Sequence, residues 1–312
     1  MKRTILLLMM LFLIAGTTMA QIFGDGSLTN PYHGISSGNF TITGTKYFNG
    51  NIGVSGGTLT ISAGTRLISI SRYACILISG SGRISAQGTA ARPILFSADI
   101  DTDGIIGEPH DFWGDIYITS TGSSIIDHCV IEKGERTRLK YFGGALYIGS
   151  SSVTINHSTI RNCTAYKGGG IYVEAGFSPS ISNTLFLNNI ANEQGGAIYV
   201  AAGSSPVISS SVFRNNSSLS ATLKGGTIAS LSGSPAIVNS TIAYSGSPAA
   251  DGKSIYLEIS PNSRIINSVI WGGSSHIGLS GTPSDVFTFC AIEGVAYTGC
   301  LNLSSNNTAP DG

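Results

Sequence analysis

Six residues recur with little change along this chain: GGALYI at Gly143–Ile148, GGGIYV at Gly168–Val173 and GGAIYV at Gly195–Val200. Weaker echoes follow as GGTIAS from Gly225 and GKSIYL from Gly252. The three strong copies start 25 and then 27 residues apart. Self-similarity at such a period marks a chain that stacks one supersecondary unit on the next. Each unit must then offer nearly the same edge to its neighbour, which removes most globular folds from consideration.

The segments after the glycine blocks align on a small central residue. Their rows are IIDHCVI from Ile125, TINHSTI from Thr154, SISNTLF from Ser180, VISSSVF from Val207, AIVNSTI from Ala236, RIINSVI from Arg264 and VFTFCAI from Val286. One column reads Ile126, Ile155, Ile181, Ile208, Ile237, Ile265, Phe287. A second reads Ile131, Ile160, Phe186, Phe213, Ile242, Ile270, Ile292, and between them runs the small column Cys129, Ser158, Thr184, Ser211, Ser240, Ser268, Cys290. Short runs of β-branched and aromatic residues, punctuated by Gly and Asn, are strand signals, and no useful helical period follows the first twenty residues. Like residues above like residues predict parallel strands about 4.8 Å apart with the Ile and Phe columns inside. Asn162, Asn188 and Asn215 fall two residues after the second apolar column, where stacked amides can bond along the axis of a coil. The expected fold is all-β, a parallel β-solenoid of about ten coils.

The first residues, MKRTILLLMMLFLIAGTTMA, carry Lys2 and Arg3, an apolar run and then small residues up to Ala20. This is the pattern of a secretory signal peptide over 1–20, and the run is too short for the roughly 20 apolar residues of a membrane span. The organisation expected after it is a single domain over 21–312, with N-terminal coils at 21–122, regular repeats at 123–300 and a tail without a cap at 301–312. An open end exposes strand edges that invite a docking partner or a longer chain. Only 11% of residues are charged and the net charge is zero, so no basic field exists to hold nucleic acid or an anionic membrane. Five cysteines at irregular spacing, Cys75, Cys129, Cys163, Cys290 and Cys300, form neither a disulfide framework nor a zinc pattern.

The stretches FLNNIANEQGGAIYV (186–200) and IRNCTAYKGGGIYV (160–173) resemble the repeats of polymorphic outer-membrane proteins. More broadly, the chain over about residues 22–300 is similar to secreted right-handed parallel β-helix proteins of the pectate-lyase fold. The resemblance implies right-handed coils and a secreted or outer cell-surface location. It does not imply one chemistry, because this kind of solenoid carries enzymes and adhesins alike.

Each chemical motif reads two ways. Asp127 in IIDHC is similar to the Ile-Asp-His stretch of pectate lyases, where it would hold a catalytic Ca²⁺; alternatively Asp127 and His128 occupy two outward columns of the repeat. Asp99, Asp101 and Asp103 in DIDTDG match the opening of a Ca²⁺ loop, although the twelfth position is His110 rather than Glu; the alternative is a solvated acidic loop. EKGERTRLKYF (132–142) is the most charged stretch. There Arg136 or Arg138 could meet an acidic sugar with Tyr141 and Trp113 as stacking surfaces, or the segment is a solvated loop of mixed charge. Glycoside hydrolysis needs two acids on one face, and Asp127 and Glu132 have no second acid column to support them. Tyr147, Tyr172, Tyr199 and Tyr256 form a run that is a sugar-holding ladder if it points outward and core if inward. The sequence therefore favours a non-catalytic adhesin, carbohydrate-binding or structural protein with a polysaccharide or surface protein as partner and Ca²⁺ as the candidate cofactor. A lyase or hydrolase acting on acidic polysaccharide, and a stalk fragment of a larger surface protein, are the alternatives.

Overall fold

The computed structural model describes residues 21–136, 141–222, 224–246, 254–260, 262–272, 277–281, 286–293 and 299–303. The first twenty residues, where a signal peptide is expected, Arg138 and the end of the expected tail lie outside these residues. All the elements are strands, joined in parallel into long ladders. The fold is a right-handed parallel β-helix, as the repeat and the resemblance predict.

Three faces wind around one interior. The first is a ten-stranded parallel sheet that begins at Phe40–Ile42, includes Ser124–Asp127, Val153–Asn156 and Ser180–Ser182, and ends at Phe287–Thr288. A second carries Cys129–Glu132, Thr159–Arg161, Leu185–Leu187 and Val212–Arg214, and a third carries Ile76–Ile78, Ile116–Ile118, Leu146–Ile148, Ile171–Val173 and Ile198–Val200. Between the second and third lies a short sheet of Glu135–Arg136, Thr164–Lys167, Ile190–Gln194 and Ser217–Ser218. Both apolar columns read from the sequence are in register, residue upon residue, from Ile126 to Phe287 and from Ile131 to Ile292. Their members are almost wholly buried, and Phe186 and Phe213 stack at 4.6 Å.

The corner between the first two faces is one residue in the left-handed conformation. His128, His157, Asn183, Asn239 and Asn267 take it with φ between 44° and 51°, a region where Asn and His are favoured among side-chain-bearing residues. The small column follows immediately and serves as a hydrogen-bond spine. Ser158, Ser211, Ser240 and Ser268 each accept the amide of the preceding coil at 3.1–3.2 Å and donate to their own carbonyl two residues back. Only a short hydroxyl fits both tasks inside the coil. Cys129 and Cys290 stand in the same column, buried, as its ends.

The corner after the second face carries two asparagine rows, of which the sequence reading found one. Asn162, Asn188 and Asn215 hold the positive φ outside. Their neighbours Asn189 and Asn216 turn inward, fully buried, where Asn189 Oδ1 accepts from the Cys163 amide and its Nδ2 donates to the Ile160 carbonyl. At the next corner Gly143, Gly168 and Gly195 have φ of 72°, 64° and 69°, and a β-carbon at Gly143 would lie 2.2 Å from the Leu146 carbonyl oxygen. This explains the invariant first glycine of each block.

Candidate functional site

Chemistry-bearing side chains gather where the regular coil is lengthened, over residues 99–136 and 141–142. On the third face the strand residues alternate, with Ile116 and Ile118, Leu146 and Ile148, or Ile171 and Val173 buried and the tyrosine between them turned out. Tyr117, Tyr147, Tyr172 and Tyr199 stack along the axis with ring centroids 4.3, 5.4 and 5.3 Å apart and planes within 18°. The run therefore lies on the outer side of the sheet, apart from the main core, although Tyr199 is only 4% exposed, packed against Ala201 and Ala229, and it starts one coil earlier than GGALYI suggests. Gly114-Asp115-Ile116-Tyr117-Ile118 has the same strand pattern and the second glycine of the block, with Trp113 in place of the first, a signal available to an alignment on the strand. Tyr256 is separated from the row because Ala229 stands between it and Tyr199. Since the rings cover one another, the half-buried Tyr117, Tyr147 and Tyr172 offer ring edges rather than a string of open faces. Burial raises the phenol pKa of Tyr172 and of Tyr199 to about 12, so these hydroxyls keep their protons.

At the start of this row lies a groove of about 430 Å³, lined by Leu77, Asp115, Tyr117, Arg136, Tyr141, Phe142 and Tyr147. Arg136, in the short strand Glu135–Arg136, donates from Nη2 to Asp115 Oδ1 at 2.6 Å and meets Cys75 Sγ at 3.2 Å. Its guanidinium lies over the Tyr141 ring, 5.2 Å from the centroid. Asp115 is fully buried, and burial raises its pKa while Arg136 pulls it down. Asp115 Oδ2 and Arg136 Nε have no hydrogen-bond partner among the described residues. Burial and the Asp115 charge raise the Cys75 thiol to about 12, so it is a neutral wall of the site rather than a nucleophile. Of the residues the sequence singled out, the structure thus brings Arg136 and Tyr141 together; Asp115, Cys75, Tyr117 and Phe142 complete the group.

Trp113 does not join them. Its side chain is wholly buried, in edge contact with Phe48, and Nε1 donates to the Glu132 carbonyl at 2.7 Å. This corrects its expected role as a stacking surface: its large apolar ring gains more from the interior, where a carbonyl also satisfies the N–H. Glu132 is equally committed, accepting from Ser97 at 2.8 Å and from Arg161 at 2.6 Å. Asp127 ends a strand of the first face and Glu132 a strand of the second, so they form no acid pair on a common face.

The DIDTDG segment forms a self-closed loop. Asp111, buried, accepts the amides of Ile100, Gly107 and Glu108. Asp99, Asp101 and Asp103 each bring a carboxylate oxygen within 4.8 Å of the others. Asp99 is 2% exposed, Oδ2 accepts from the Gly104 amide, and Oδ1 has no hydrogen-bond partner among the described residues. Its pKa is raised by burial and by the carboxylates of Asp111, Asp103 and Asp101, against the pull of the Gly104 amide. Asp101 also meets His110 at 2.9 Å. An all-oxygen donor set of this kind suits a hard cation such as Ca²⁺.

At the corner of the first face, Asp127 Oδ1 lies 3.1 Å from His128 Nδ1 and 3.2 Å from His157 Nδ1. The two imidazoles stack at 4.6 Å.

These features can be set beside known proteins. The chain belongs to the right-handed β-helix family, whose description, right handed beta helix region, matches residues 17–213. The ladders of the structure continue beyond that match to Leu301–Leu303. No curated protein and no solved structure matches the chain.

Proposed function

We propose that this is an exported or cell-surface β-helix protein that binds polysaccharide without cleaving it, through the groove between Arg136 and the tyrosine row. The observation that carries the reading is the groove itself, in which Tyr117, Tyr141, Phe142 and Tyr147 surround a guanidinium fixed from below by a buried carboxylate. Aromatic walls with a few oriented polar groups are the common make-up of a small-ligand site, and the volume falls in the usual range of roughly 300–1,000 Å³. Asp115 and Cys75 engage Nη2 of Arg136, and in this reading Nη1 meets the oxygens of a ligand. Because Asp115 offsets the charge of Arg136, the groove favours the hydroxyls of neutral sugars over a uronate chain. Asp115 is also the one carboxylate among the seven lining residues, whereas glycoside hydrolysis draws on two. The leader at Met1–Ala20 supports export.

The test is retention of the chain on immobilised neutral and uronate polysaccharides, with the release of reducing and unsaturated ends followed in parallel. The expected result is retention on neutral polysaccharide without cleavage, weakened by Tyr141→Ala at least tenfold, or about 1.4 kcal/mol. Cleavage that disappears with Asp127→Ala would make the protein a lyase instead. An absence of both retention and cleavage would leave a scaffold whose partner is a protein.

A further inference from the structure

We propose that Asp127, His128 and His157 bind a first-row transition dication of the zinc type at the corner between the first two faces. This site is independent of the saccharide groove, sharing no residue with it.

The repeat supplies its own baseline. At the corner position the later coils carry Asn183, Ser210, Asn239, Asn267 and Phe289, with φ between 47° and 54°, and Asn267 donates to Asn239 at 2.8 Å to continue a polar ladder. Asn is enough to build this corner. Two successive coils carry His128 and His157 in its place, at φ of 48° and 44°. The neighbouring column departs from its pattern at the same level: Asp127 is flanked in register by Gln87 and Asn156, followed by Ser182. One column thus changes to histidine in two successive coils and its neighbour to aspartate in the first of them, and their ligand atoms converge.

The convergence has the dimensions of a coordination shell. Oδ1 of Asp127 lies 3.1 and 3.2 Å from the two Nδ1 atoms, and all three atoms lie within 4.8 Å of one another. Ligands about 2.0–2.1 Å from a tetrahedral zinc are about 3.3 Å apart. His157 Nδ1 is hydrogen-bonded to Asp127. His128 Nδ1 is shielded from solvent yet has no hydrogen-bond partner among the described residues, because its approach to the adjacent carboxylate is misaligned. A dication would use that lone pair, with the ring proton on Nε2. The two rings are stacked with planes 21° apart, so His157, 48% exposed at its side chain, must turn out of the stack to bring both lone pairs onto one ion, and its exposure leaves it room to do so. Two imidazoles and one carboxylate suit zinc and its neighbours rather than Ca²⁺, which takes six to eight oxygens. The remaining coordination positions face solvent, open to water or to a ligand.

Equilibrium dialysis and calorimetry of the chelator-stripped chain with Zn²⁺ test this, together with the visible absorption of the Co²⁺ form as a report of ligand type. His128→Asn and His157→Asn install the residue that the later coils use at the same φ, so each variant is expected to keep the circular dichroism spectrum and melting temperature. Each should weaken Zn²⁺ by about a hundredfold or more, since even outer-shell partners of metal ligands are worth about 10–100-fold. His110→Ala, in the separate Asp101, Glu108 and His110 cluster, should leave that affinity unchanged. The proposal is overturned if Zn²⁺ does not bind, if its affinity survives both Asn variants, or if it follows His110 instead.

Discussion

The coils over 180–222 and the stretch 99–136 share one interior and one set of ladders, yet they differ in what they leave unsettled. In the first, hydroxyl and amide side chains close on the backbone of the preceding coil, as Ser211 and Asn216 do. Among the described residues, six buried side-chain polar atoms have no partner, and five of them, on Asp99, Asp115, Ser120, His128 and Arg136, belong to residues 99–136. Buried polar groups without partners are costly, so their concentration marks where a scaffold gives way to sites. The lengthened connections make this affordable because a turn can be enlarged without disturbing the columns beneath it.

The sharpest way to break that contrast is to truncate equally apolar side chains in both regions. Phe186→Ala removes a fully buried ring from the stacked pair with Phe213 and should cost about 3–5 kcal/mol in denaturant titrations. Ile105→Ala in the loop, where the side chain is 58% exposed, should change stability by no more than about 0.5 kcal/mol. Similar values for the two would mean that the loop belongs to the core after all.

Arg136→Ala tests the pair beneath the groove. Leaving Asp115 buried without its partner should cost about 3 kcal/mol at neutral pH. The sign with pH follows from the raised carboxyl: the folded state then holds the proton more tightly than the unfolded chain, so stability falls as pH rises from the unfolded value through the folded one. The variant should therefore recover part of its loss as pH falls toward about 4. An equal loss at both pH values would show that the damage is packing rather than an unpaired charge.

A smaller effect is expected from Ca²⁺ on the 99–111 loop. At ten times its dissociation constant, Ca²⁺ should stabilise the chain by about 1.4 kcal/mol, seen as a rise in melting temperature that Asp99→Asn removes. A rise that persists in Asp99→Asn would place the ion elsewhere, and no rise would leave the carboxylates as a solvated loop closed by Asp111.

How much was legible in the sequence follows the same division. The columns Ile126 to Phe287 and Ile131 to Ile292, the Ser and Thr spine and the outer Asn row were readable because stacking like on like writes the contact map into the chain at a nearly fixed period. Arg136 and Tyr141 were readable as a charged residue and an aromatic in a lengthened turn. Their partners were not: Cys75 lies 61 positions before Arg136 and Asp115 lies 21 before it, and insertions of unequal length between coils hide such pairs from any fixed spacing. The pairing of His157 with Asp127 across 30 positions was within reach of the aligned rows, which already set the two histidines in one column.

The sequence by itself determined the coil, its parallel ladders and the residues that fill it, because each strand's neighbour is another copy of itself. Only the tertiary structure decided which way the aromatic residues turned. Trp113 went inside because a carbonyl waited there for its N–H. The tyrosines went outside because the strand pleat alternates, and their faces were spent on one another because successive coils place them about 5 Å apart along the axis.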